Sequence, residues 1–77
     1  MDKWDKIFDA VEKELFIATE KFGAFNSPHE GYAILQEEVE ELWDEIKANK
    51  GRTESARKEA VQVAAMAIRY LYDMDPK

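Results

Sequence analysis

Apolar side chains recur at intervals of three and four through the first part of the chain. Trp4, Ile7, Phe8, Val11, Leu15, Ala18 and Phe22 fall on one face of a helix from about Asp2 to Phe22. Gly23 to Asn26 break the pattern, with Gly23 expected as the C-terminal cap. A second helix starts at Ser27-Pro28-His29-Glu30, where Ser27 is the N-cap, Pro28 suits the first helical position and Glu30 completes a capping box. Its expected buried face is Leu35, Val39, Leu42, Trp43 and Ile46, and it stops near Asn49-Lys50-Gly51. A third helix is expected from near Thr53 to about Asp73, ahead of Pro76.

The middle of that third helix is unusual. Between Ala60 and Ile68 only Gln62 is polar, and four of the nine residues are alanine. A helix apolar nearly all round needs cover on more than one side. Two other helices cover only part of it, so a helix from a second subunit is expected. No strand pattern, repeat or low-complexity tract is present. The expected architecture is all-α: one domain over residues 1–77, a three-helix protomer within an oligomeric bundle, either a homodimer or a tetramer.

Length sharpens that expectation. A chain of 77 residues has a marginal core of its own and needs a staple, a metal or a partner. With no cysteine and a single histidine, His29, disulfides and thiolate or imidazole metal sites are excluded. The net charge of −6 argues against binding a nucleic-acid backbone. No stretch approaches a membrane span, and the opening Met1-Asp2-Lys3-Trp4-Asp5 lacks the form of a signal peptide. A cytoplasmic location, with no membrane partner, is the resulting expectation.

The chemistry lies in the acidic residues. At about 100° per residue, Glu38, Glu41 and Glu45 share a stripe roughly 60° wide beside the apolar face of the second helix. Glu37, Glu40 and Asp44 point towards water. Acidic runs on helices are usually solvated faces. Here, however, no Lys or Arg lies three or four residues away on the inner stripe, and like charges at these spacings repel. On the third helix, Glu59 and Gln62 stand at i and i+3 just where the sequence turns apolar. Antiparallel pairing of these two helices brings Glu59 back alongside Glu38 and Glu41. Such a group suits a hard divalent cation, which takes oxygen ligands from a few carboxylates, waters and phosphates.

Glu37-Glu38-x-x-Glu41, then Glu59-x-x-Gln62 one helix later, resembles the EExxE…ExxD pattern of the MazG-like, all-α nucleoside triphosphate pyrophosphatases. The likeness extends over the flanking Asn26-Ser27-Pro28-His29-Glu30-Gly31-Tyr32 and Val63-Ala64-Ala65-Met66-Ala67-Ile68-Arg69, about residues 25 to 73. The resemblance implies a Mg²⁺-dependent enzyme, with Mn²⁺ able to substitute. It would cleave a nucleoside triphosphate between its α- and β-phosphates, in a site assembled within a dimer or pair of dimers.

Carried over by position, Glu38, Glu41 and Glu59 would be metal ligands. Glu37 would sit behind them or position the water, and Glu45, one turn beyond Glu41, would orient the water or hold a further ion. Gln62 departs from the pattern, standing where the family has Asp. Its amide oxygen can coordinate Mg²⁺ but brings no charge, so the alternative expectation is a catalytically weakened module that binds metal and nucleotide.

Candidate phosphate contacts are few: Arg57, Lys58 and Arg69 on the third helix, with Lys47, Lys50 and Arg52 at the joint. Arg69 could instead pair with Asp73. Trp43 reads first as core or interface, and second as a platform for a base.

Overall fold

The computed structural model describes residues 2–21, 23–49 and 51–76, with Asn49 described by its backbone alone. They form α1 (Lys3–Lys21), α2 (Pro28–Asn49) and α3 (Glu54–Asp73), with no strand among them. Phe22, the expected end of the first apolar repeat, and Lys50, a candidate cation, lie outside the described residues.

Each helix starts on a side-chain oxygen that takes a free backbone N–H, which is why the boundaries fall where they do. Asp2 Oδ1 accepts from Asp5 N at 2.8 Å, Ser27 Oγ from Glu30 N at 3.1 Å and Thr53 Oγ1 from Ala56 N at 3.1 Å. The capping box at α2 is displaced by one residue. Glu30 accepts from the backbone N of Asn26, not Ser27, and also takes the Asn26 side-chain amide. The left-handed glycine falls at Gly51, with φ +82°, where α2 reverses into α3. Gly23, expected as the cap of α1, has no positive φ.

α3 is the spine. Both α1 and α2 pack on it and, among the described residues, not on each other. The core is small: Ala18, Phe25, Ala65 and Met66, flanked by Val11, Leu15, Ile34, Leu35, Tyr70 and Met74. This arrangement corrects two expected faces. Trp4 (69% exposed), Ile7 and Phe8 are not buried, because α2 does not reach α1 to cover them; Trp4 and Phe8 stack on each other instead, centroids 6.2 Å apart. On α2, Val39, Trp43 and Ile46 are exposed. Its inner stripe is Gly31, Ile34, Leu35, Glu38, Leu42 and Glu45, a few tens of degrees from the stripe that hydrophobicity alone selects.

The joint between α1 and α2 is fastened to the end of α3. Arg69, only 6% exposed, donates from Nη2 to the Gly23 carbonyl and lays its guanidinium 4.9 Å from the Phe25 ring centroid. One turn on, Asp73 Oδ2 accepts from Phe25 N at 3.0 Å. The start of α2 then closes on the end of α3 through Gly31, where an added Cβ would sit 2.8 Å from both Phe25 Cδ2 and Tyr70 Cδ2.

That closeness gives a testable contrast. Gly31→Ala should destabilise the fold by about 1–3 kcal/mol through overpacking. Gly23→Ala, which meets nothing within 4 Å, should leave the urea midpoint almost unmoved. Equal midpoints for the two variants would show that α2 and α3 do not approach this closely.

Candidate functional site

The rotation of α2 is what builds the site. With Glu38 and Glu45 on the inner stripe and α3 antiparallel across the Gly51 turn, Glu38, Glu41 and Glu59 each offer a carboxylate oxygen within 4.8 Å of the others. Glu38 and Glu59 are half-buried and Glu41 is exposed. Glu38 Oε2 and Glu59 Oε1 are shut off from solvent with no hydrogen-bond partner, a position a polar atom does not hold cheaply.

The electrostatics carry the mark of this crowding. Burial first, and then the charges of Glu41, Glu59, Glu14 and Glu37, raise the Glu38 carboxyl from its ordinary 4.5 to about 7. Glu59 is also raised, first by burial, then by Glu41 through its charge and a side-chain hydrogen bond, and then by Glu45; Lys58 opposes the rise.

A divalent cation fits the same donor set. Oxygens on one Mg²⁺, at about 2.1 Å from the ion, lie up to about 4.2 Å apart, within a small side-chain adjustment of the spacing observed. An all-oxygen group with two orphaned, desolvated atoms is the donor chemistry such an ion takes.

The cluster opens onto a cleft. Because α1 and α2 splay apart over α3, a cavity of about 830 Å³ lies between them, with Glu37, Glu38 and Gln62 along it and Arg69 at its far end. Glu14 of α1 also lines it and adds its charge to Glu38. Sequence reasoning passed over Glu14. It is three residues after Val11 and four before Ala18, both on the face of α1 turned to α3, so it carried the same border signature that singled out Glu38 on α2.

The remaining candidates are dispersed. Glu45 is half-buried on the stripe one turn past Glu41, near enough for its charge to reach Glu59. Arg57 and Lys58 are exposed on the first turns of α3. Arg69, expected either to pair with Asp73 or to grip a phosphate, is buried and donates to the Gly23 carbonyl. Trp43, expected first as core or interface, is not core: it is 55% exposed with Lys47 Nζ 5.9 Å above its ring, while Lys47 also pairs with Asp44 at 3.3 Å. No helix among the described residues is long and apolar enough to cross a membrane. No family model, curated protein or solved structure matches the chain.

The raised carboxyls fix a pH dependence. Below pH 4.5 folded and unfolded chains both hold the Glu38 proton. Between 4.5 and about 7 only the folded chain keeps it, so stability falls across that window and then levels off; Glu59 acts in the same direction. Metal-free protein in chelator should therefore unfold at lower urea at pH 8 than at pH 5, and Glu38→Gln should flatten the difference. A variant with the wild-type slope would remove Glu38 as its source.

Proposed function

We propose that the chain is a Mg²⁺-dependent nucleoside triphosphate pyrophosphohydrolase, yielding a nucleoside monophosphate and pyrophosphate, with Mn²⁺ able to replace Mg²⁺. One observation carries this reading: two buried carboxylate oxygens without partners, on Glu38 and Glu59, in a cluster with Glu41 and beside a cleft large enough for a nucleotide. The likeness of Glu37-Glu38-x-x-Glu41 and Glu59-x-x-Gln62 to the MazG-like pattern supports it, since both halves lie on facing helices.

In this reading Glu38, Glu41 and Glu59 hold the ion, and Gln62 offers an amide oxygen without charge. Bound Mg²⁺ supplies charge neutralisation on the triphosphate and a more acidic water. Glu37, exposed along the cleft, would orient an attacking water and take its proton as the water oxygen bonds to the α-phosphorus. The α–β bridging bond breaks and its electron pair leaves with pyrophosphate. Glu45 keeps the inner stripe acidic next to Glu59. Arg57 and Lys58, exposed on α3 just before Glu59, are the proposed partners of the leaving phosphates, whereas Arg69 positions the joint instead of gripping phosphate.

Exposed apolar residues support a second proposed feature, assembly into a homodimer or tetramer. Val39, Trp43 and Ile46 on α2, and Ile68 and Leu71 on α3, are more apolar surface than a small monomer usually leaves bare. The uncharged Gln62 favours one alternative, a module that binds metal and nucleotide but turns over little.

A panel of ribo- and deoxyribonucleoside triphosphates with Mg²⁺ or Mn²⁺ tests the reading. Monophosphate and pyrophosphate should form, Glu38→Gln and Glu59→Gln should each lower kcat/KM by about 100-fold or more, and Gln62→Asp should raise turnover. Mg²⁺ should raise the Tm of wild type but not of the Glu38 and Glu59 variants. Nucleotide binding without product would select the weakened module. No metal binding at all would end both readings.

A further inference from the structure

The two ends of the cleft differ in kind. Near the cluster it is lined by the acids Glu14, Glu37 and Glu38. Away from it the walls turn aliphatic, with Ile17 of α1 facing Ile34 of α2 over Met66 of α3, and the cleft stops at Asn26 and Glu30. Eight residues along α2 separate Glu38 from Glu30, about 12 Å at helical rise. That is the reach of a nucleoside monophosphate from its phosphorus to the far edge of its base.

The far end is an acceptor. Glu30 Oε1 accepts from Asn26 N at 2.6 Å, and Oε2 accepts from the Asn26 side-chain amide at 3.3 Å. An ionised carboxylate has about four lone-pair positions, so each oxygen retains capacity for one more donor. Asn26 spends its amide on Glu30 and holds that carboxylate in place. Of the cations lining the cleft, Arg69 already donates to the Gly23 carbonyl and stacks on Phe25, leaving Lys21, which is exposed.

Resting on the reading that the nucleotide's phosphates lie at the Glu38 cluster, we infer that Glu30 selects the base, and that the cleft prefers one presenting two adjacent N–H donors. Guanine does so with its ring N–H and its amino group. Cytosine and adenine show one amino group beside a ring acceptor. Uracil and thymine show a single N–H between two carbonyl oxygens, which a carboxylate repels. Glu30 is half-buried and its two bonds to Asn26 are exposed, so the selection rests on pairing two donors with the carboxylate and on its repulsion of a base that turns carbonyl oxygens towards it.

Steady-state hydrolysis of GTP, CTP, ATP and UTP by wild type and Glu30→Gln, with GMP, UMP and pyrophosphate titrated calorimetrically in Mg²⁺, tests this. Wild type should favour GTP over UTP by about tenfold or more in kcat/KM. Glu30→Gln, which replaces one oxygen by an NH₂ donor, should collapse or reverse that ratio while cleavage persists. Should that variant not fold, Ile17→Trp at an exposed wall position should weaken GMP while leaving pyrophosphate binding unchanged. Equal use of the four bases, a GTP:UTP ratio unmoved by Glu30→Gln, or GMP unaffected by Ile17→Trp overturns the base assignment and leaves the hydrolase standing. Failure of every nucleotide to bind or be cleaved overturns both.

Discussion

Among the described residues α1 and α2 meet only on α3, so most of the molecule's chemistry becomes a matter of what that one helix presents. Its alanines let both neighbours approach closely, and Ala65 and Met66 provide the centre of the core. Its polar interruptions are half-buried or buried: Glu59 and Gln62 beside the flanking helices and Arg69 under the α1–α2 joint. A third packing pair, α1 on α2, would have filled the space between them with side chains. The cleft exists because that pair is missing, and the bare aromatic residues at the start of α1 follow from the same cause.

The carboxylate cluster works against this economy. A chain of this size has few apolar contacts to spare, yet it turns Glu38 and Glu45 inward on α2 while Val39 and Trp43 stay in water. Packing alone would choose the opposite rotation. The upward shifts of the Glu38 and Glu59 carboxyls register the desolvation and repulsion that this choice brings. Stability is given up at a defined place, the seam where α2 meets α3.

Much of this was legible in the sequence. Caps, glycines and apolar spacing gave three helices with ends near those observed, and the lack of basic partners pointed to Glu38, Glu41 and Glu59. What periodicity misjudged was rotation. Hydrophobicity puts Val39 and Trp43 inside, but the close passage at Gly31 and the acidic inner stripe depend on contacts with α3 that no local pattern encodes. Glu14 and Glu30 were missed as cleft residues for a related reason. Each stands on its own helix with ordinary spacing, and only the splay of α1 from α2 lines them along one cavity. Arg69 offered two plausible surface roles, and burial against Gly23 and Phe25 required knowing where the joint folds back.

All three clustered carboxylates lie on α2 and α3, joined by a short turn, and Glu41 and Glu59 are eighteen residues apart. α1 is tied on through far more distant pairs, such as Gly23 with Arg69, which are 46 residues apart. Loop closure makes the near pairing quick and the far one slow. A helical hairpin can therefore bring the acidic oxygens together before the first helix docks. A cation captured at that stage would add its binding energy to folding, offsetting the repulsion during assembly as well as in the finished protein.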